Sequence, residues 1–156
     1  MILNGVSIQD IYTFPNHLDI LYEILQEREP NQSISHEKMP TREEHKSFVD
    51  RIHYLGHCPY KAWYFVHQAE TATEIYPSCL SSVVGTAYLT NEREIGVSIL
   101  KKYHRRGYGK SAVQLLMAMH PGEEFLANIN PLNEESIKFF EGLGFNHIQN
   151  TYRLKA

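Results

Sequence analysis

Cysteine is scarce in this chain: Cys58 and Cys79 are the only two among 156 residues. They form neither a CxxC pair nor a disulfide framework, which suits a reducing compartment and gives the expectation of a cytoplasmic protein. Long apolar runs are also missing. No uncharged stretch approaches the roughly 18 residues that a membrane span needs, so no membrane partner is expected. The first residues lack a secretory pattern, because no positive charge precedes them and Asp10 interrupts the apolar stretch. Neither sign of charge dominates: 15 Lys and Arg against 18 Asp and Glu give a net charge of −3, which argues against general nucleic-acid binding. Repeats, low-complexity blocks and linkers are absent too. Residues 1–156 therefore read as a single domain with one core. Nine histidines are present, and His53 and His57 stand four apart with His45 upstream. No HExxH pattern surrounds them, and no metal is expected.

What is present is a clear alternation of patterns. Val6 to Tyr12 alternates enough for a strand. Leu18, Leu21, Ile24 and Leu25 repeat at helical spacing and predict a helix from His17 to Glu27. Glu29 to Pro40 is polar with prolines at its ends and reads as a loop. Thr41-Arg-Glu-Glu44 is a capping box that opens a helix to about Tyr54, with Phe48, Val49 and Ile52 inward. Strands follow at Lys61–His67, Ser82–Leu89 and Glu94–Leu100, rich in aromatic and β-branched residues. Then come a helix over Gly107–Met119, a short strand at Phe125–Ile129 and a helix over Asn133–Glu141 that Gly142 and Gly144 end. Closing strands are read at His147–Gln149 and Tyr152–Leu154. The order β-α-α-β-β-β-α-β-α-β implies an α/β (α+β) fold with a mixed sheet covered by helices.

The most informative segment runs Ile99-Leu-Lys-Lys-Tyr-His-Arg-Arg-Gly-Tyr-Gly-Lys110. A strand ends there and a turn with two glycines opens a helix. First-turn N–H groups lack intrahelical partners, and the helix dipole adds positive charge at that end. Glycines let a backbone approach a ligand closely. Lys101, Lys102, Arg105, Arg106 and Lys110 add cations. Together these make an anion site suited to a pyrophosphate. A tight turn with a solvated basic face would use the same residues. Two rival phosphate motifs fail on spacing. A P-loop needs a glycine five positions before Gly109, and none is there. A dinucleotide fingerprint needs a third glycine where Ala112 stands.

This segment resembles the acetyl-CoA-binding motif of the GNAT superfamily, Arg/Gln-x-x-Gly-x-Gly/Ala, as His104-Arg-Arg-Gly107-Tyr-Gly109, with His104 in place of the usual Arg or Gln. A second stretch, Asn133-Glu-Glu-Ser136-Ile-Lys-Phe-Phe140-Glu-Gly-Leu-Gly144-Phe145, is similar to the family's Asn-x-x-Ser/Ala-x-x-Phe-Tyr-x-x-x-Gly-Phe. The resemblance runs from about Trp63 to Tyr152; the first sixty residues supply no diagnostic motif. It implies a central, mostly antiparallel sheet of six to seven strands flanked by four helices, with the fourth and fifth strands splayed by a local bulge. It implies acetyl-CoA as cosubstrate, held by His104, Arg105, Arg106, Gly107, Tyr108, Gly109, Lys110 and Ser111 at the pyrophosphate. Val97 and Ile99 would pair with the pantetheine as an added strand would. Asn133 and Ser136 would complete the cofactor site, although asparagine is equally suited to a helix N-cap.

The implied reaction is direct attack of an amine on a thioester. A free alkyl amine is mostly protonated at neutral pH, so a base helps. Glu94 is the candidate, with an N–H near Ile99 as oxyanion donor. The family's usual proton donor is a tyrosine at the position of Phe140, which cannot donate. Tyr64, Tyr88, Tyr108 and Tyr152 remain as substitutes. His36 and Glu37, in the polar loop, are candidate substrate contacts. The expected acceptor is a small-molecule primary amine, an amino sugar or a nucleotide-linked amino sugar by similarity. Alternatives are a protein or peptide amine and a non-catalytic acyl-CoA sensor. The resemblance leaves room for a homodimer.

Overall fold

A computed structural model describes residues 1–29, 38–54, 60–69 and 82–154, without the side chains of residues 52–54. The loop residues His36 and Glu37 lie outside the described residues. Five strands form one sheet in the order β1 (Ile2–Leu3), β2 (Val6–Asp10), β3 (Tyr60–Gln68), β4 (Val83–Thr90) and β5 (Ile95–Ile99), every neighbour antiparallel. A 3₁₀ turn over Ile11–Thr13 leads to α1 (His17–Gln26), then α2 (Arg42–Tyr54). On the other side of the sheet lies α3 (Tyr108–Met119), followed by α4 (Glu134–Gly142).

The helices start where local chemistry asks them to. At α2 the capping box forms as read: Glu44 N–H donates to Thr41 Oγ1 at 3.2 Å, and Thr41 N–H donates to Glu44 Oε2 at 2.8 Å. At α4 the Asn133 side chain accepts from Ser136 N–H at 3.1 Å. Gly144, at φ +93°, turns the chain out of α4.

The sheet separates two apolar layers. Ile11, Phe14, Leu21, Ile24, Val49, Phe65 and Val83 pack on the α1–α2 side. Val66, Val84, Ala87, Ala112 and Leu115 pack on the α3 side, continued by Leu89, Ile95, Val113, Leu116 and Phe140. Val84 and Ala87 share a layer although they stand three residues apart, which a regular strand forbids. A register shift at Val66/His67 in the β3–β4 pair permits it. Of the apolar residues expected inward on α2, Val49 is fully buried, whereas Phe48 is 36% exposed and leans on Tyr60.

The strand count differs from expectation. Six to seven strands were implied; the described residues pair as five. The stretch Phe125–Ile129 reduces to one parallel bridge, Glu94–Leu126, held by Ile95 N–H to Leu126 O at 2.8 Å and Leu126 N–H to Arg93 O at 2.9 Å. Past Leu126 the chain leaves β5 for a turn in which Asn133 N–H donates to Asn130 O. The closing stretches His147–Gln149 and Tyr152–Leu154 form no strands, and Ile148, Tyr152 and Leu154 are 74%, 90% and 97% exposed. The expected bulge also lies elsewhere: β5 keeps regular register on β4, and the shifts fall between β3 and β4. The divergence of β5 from the following segment arises instead from the single bridge.

Candidate active site

The edge strand β5 organises the site. In an antiparallel ladder, successive residues point their N–H and C=O alternately toward and away from the partner strand. Glu94 O accepts from Thr90 N–H, and Leu100 N–H donates to Val84 O, so even-numbered residues face β4. Ile95 N–H points outward to Leu126. Val97 and Ile99 therefore aim their backbone groups away from the sheet, while their side chains pack toward α3. The Ile99 carbonyl accepts from His104 Nε2 at 2.7 Å, which fixes that ring with its proton on Nε2. His104 thus ties the turn back to the strand it leaves.

The outward edge of β5 leads to the N-terminus of α3. Arg105 (φ +60°) and Gly107 (φ +82°) take left-handed conformations that reverse the chain. Gly107 caps α3, and the first backbone bond back to it comes from Ser111 N–H, at 3.0 Å. The N–H groups of Tyr108, Gly109 and Lys110 consequently precede the first intrahelical donor. A Cβ on Gly107 would meet nothing within 4 Å, so the space over the cap is open. This geometry fits a pyrophosphate: free donors, a helix dipole and no side chain in the way.

Cations surround the cap unequally. Arg105, Arg106 and Lys110 are exposed. Lys102 and Arg106 stand over the Tyr103 ring at 5.1 and 5.8 Å. Lys101 is drawn to α1 instead. Its ammonium pairs with Glu29 at 2.7 Å and its N–H donates to Glu27. The hydrogen bond and charge of Lys101 hold the Glu29 carboxyl below its ordinary range. The Ser111 hydroxyl turns inward, 3% exposed, to within 3.4 Å of Asn4 Nδ2.

The two stretches that carried the family resemblance meet in space. A Cβ on Gly109 would lie 3.4 Å from Phe139 on α4 and 3.5 Å from Ile99 on β5. The glycine therefore brings α3, α4 and β5 to one joint. Phe140 is 6% exposed, edge-to-face between Phe139 and Phe145 at 5.1 Å each, so the core claims that position.

A profile of the acetyltransferase (GNAT) domain matches residues 12–146. The chain belongs to the GNAT acetyltransferase family. It is an acyltransferase by family, and acetyl-CoA is the cosubstrate that the family uses. Solved structures of similar fold include a domain from Methanocaldococcus jannaschii, at 20% identity and TM-score 0.70, covering 94% of this chain and 91% of that one. An acetyltransferase from Thermus thermophilus follows at 14% identity and TM-score 0.65, covering 96% and 92%. YncA from Salmonella typhimurium, solved with its cofactor acetyl-CoA, has 18% identity and TM-score 0.54, covering 90% and 78%. At these identities the likeness is one of fold. No curated protein matches the chain closely enough to narrow the family further.

At the far end of β5, Glu94 is half-buried and its Oε1 accepts from Asn128 Nδ2. This pair was not readable from the sequence, where the two residues lie 34 positions apart; only the Glu94–Leu126 bridge brings them together. On the same sheet face stands an aromatic wall. Tyr60 lies 4.9 Å from Trp63 and 4.7 Å from Tyr88, and Phe48 from α2 touches Tyr60 at 6.2 Å. Trp63 Nε1 donates to Thr86 Oγ1 at 2.8 Å, which locks the indole. A separate cleft of 360 Å³ opens between α1 and the β5–α3 link, lined by Asp19, Glu23, Leu100, Lys102 and Tyr103 among others. Leu100 and Glu94 sit at opposite ends of β5, on the order of 20 Å apart along a strand. The cleft therefore adjoins the pyrophosphate turn and not Glu94.

Among the described residues no cluster of three or more His, Cys, Asp or Glu could hold a metal ion. His45 is buried beside Tyr22, its ring nitrogen Nε2 without a partner. The side chain of His53, and His57 altogether, lie outside the described residues. No helix among the described residues is long and apolar enough to cross a membrane.

Proposed function

We propose that the chain moves the acetyl group of acetyl-CoA onto a primary amine of a small molecule, an amino sugar or nucleotide-linked amino sugar, by direct attack. One observation carries the reading: the outward backbone groups of Val97 and Ile99 run directly into the open N-terminus of α3 at Gly107. A pantetheine arm can pair along the first while its pyrophosphate rests on the second. Arg105, Arg106 and Lys110 supply charge there. Asn133, whose Oδ1 is spent on its own helix, keeps its amide N–H₂ for the cofactor, with Ser136 beside it.

Glu94 is the proposed general base, oriented by Asn128. It takes a proton from the acceptor ammonium, and the nitrogen attacks the thioester carbon. The oxyanion falls to the outward Val97 N–H, because Ile99 lies five residues from Glu94, roughly 17 Å along a strand, too far for one reacting centre to meet both. The aromatic wall of Tyr60, Trp63 and Tyr88 supports a ring-shaped acceptor, since flat aromatic faces pack against the apolar face of a sugar or against a base. A non-catalytic acyl-CoA sensor is the second reading, favoured by the buried Phe140.

CoA release measured over a panel of amino sugars, nucleotide-linked amino sugars, polyamines and peptides separates these readings. Turnover with an amino sugar supports the first. Calorimetric binding of acetyl-CoA with no turnover on any amine supports the sensor. Glu94→Gln is expected to lower kcat by about 10²–10⁴-fold while acetyl-CoA affinity holds; an unchanged rate removes Glu94 as base.

A further inference from the structure

Acetyl transfer leaves a sulfur that needs a proton, and Phe140 offers none. Tyr88 is placed to provide it. It is the direct cross-strand partner of Gly96 on the edge strand. A Cβ added to Gly96 would fall among the ring atoms and the hydroxyl of Tyr88, so the ring lies across the glycine and its tip reaches over β5. Tyr60 packs on that ring at 4.7 Å and braces it. The hydroxyl thus hangs over Gly96. One residue further along, Val97 is the first outward-facing residue beyond the Ile95–Leu126 bond, and two residues back stands Glu94 on the same face.

We propose that Tyr88 is the proton donor to the leaving sulfur. This rests on the acetyl-transfer reading above. As the carbon–sulfur bond breaks, Tyr88 gives its phenolic proton to the sulfur. It regains one from the acceptor nitrogen through Glu94. Of the two protons that an ammonium loses on becoming an amide, one ends on CoA and the other leaves to water. Burial pushes the Tyr88 phenol above its ordinary value of 10.0; the Arg28 charge opposes that rise and the Glu94 charge adds to it. The phenol is accordingly protonated at neutral pH, as a donor must be.

The test needs only CoA. Thiolate absorbance of CoA bound to the protein is titrated in wild type and in Tyr88→Phe, which keeps the ring and the packing. A phenol that donates to sulfur stabilises the thiolate, so wild type should carry about tenfold more thiolate than Tyr88→Phe at a pH below both midpoints. Gly96→Ala, which must push the ring aside, should behave like Tyr88→Phe if thermal melting shows it folded. Identical titrations in wild type and Tyr88→Phe, with CoA bound to both, overturn the donor role and leave the acetyl-transfer reading standing. Failure of wild type to bind CoA in calorimetry overturns both.

Discussion

Gly107 shows how much can rest on a missing side chain. Its φ of +82° is one that L-residues avoid, yet the space above it is open. Gly107→Ala therefore meets strain and no clash, and should cost about 1–2 kcal/mol in urea denaturation. The alanine methyl would also enter the space that the pyrophosphate is proposed to fill, so acetyl-CoA affinity by calorimetry should fall as well. Gly107 was legible in the sequence because the residue type itself reports the conformation, whereas Gly109 lies within α3 and serves the close approach of Phe139 and Ile99. Gly96 was not legible. Its role lies in a partner on another strand, and nothing in Glu94-Ile-Gly-Val announces that Tyr88 will lie across it. The Glu94–Asn128 pair escaped for the same reason.

Helices were the most readable elements because their signals are local. The capping box at Thr41 needs only residues three apart, and the structure contains both of its bonds. Thr41→Ala should cost about 1 kcal/mol, read as a lowered thermal midpoint, since it strips one acceptor from the first turn of α2. Strands depend on partners. Phe125–Ile129 has the composition of a strand, but two backbone bonds hold only Leu126 before the chain turns away at Asn130. Composition can nominate a strand; an available edge decides it. Ile2–Leu3, which pairs with Val6–Ser7, went unread because a two-residue strand leaves too little pattern.

At the scale of the molecule, two apolar layers share one sheet, and the one on the α1–α2 side borders two imidazoles. His67 stacks on Phe14 at 5.2 Å, with Ser82 Oγ 3.1 Å from Nδ1. His45 is buried against Tyr22. Burial lowers both below the ordinary value of 6.5. Below that pH the unfolded chain binds protons that the folded chain resists, so stability is full above 6.5 and declines as pH falls beneath it. The urea midpoint should thus be lower at about pH 5.5 than at about pH 7.5, and His67→Phe should lessen the difference. The family profile spans the same body, residues 12–146. The short motifs legible in the sequence sit in the cofactor half, whereas the profile also takes in most of the first sixty residues, where no short motif stands out.

The alternation along β5 divides labour within each residue. At Val97 and Ile99 the main chain looks out to the proposed cofactor while the side chain looks in to α3. Evolution can therefore redraft those side chains to suit the interior without rewriting the surface that acetyl-CoA would meet. A lesion at either position would surface first as a fragile protein and only afterwards as a poor binder.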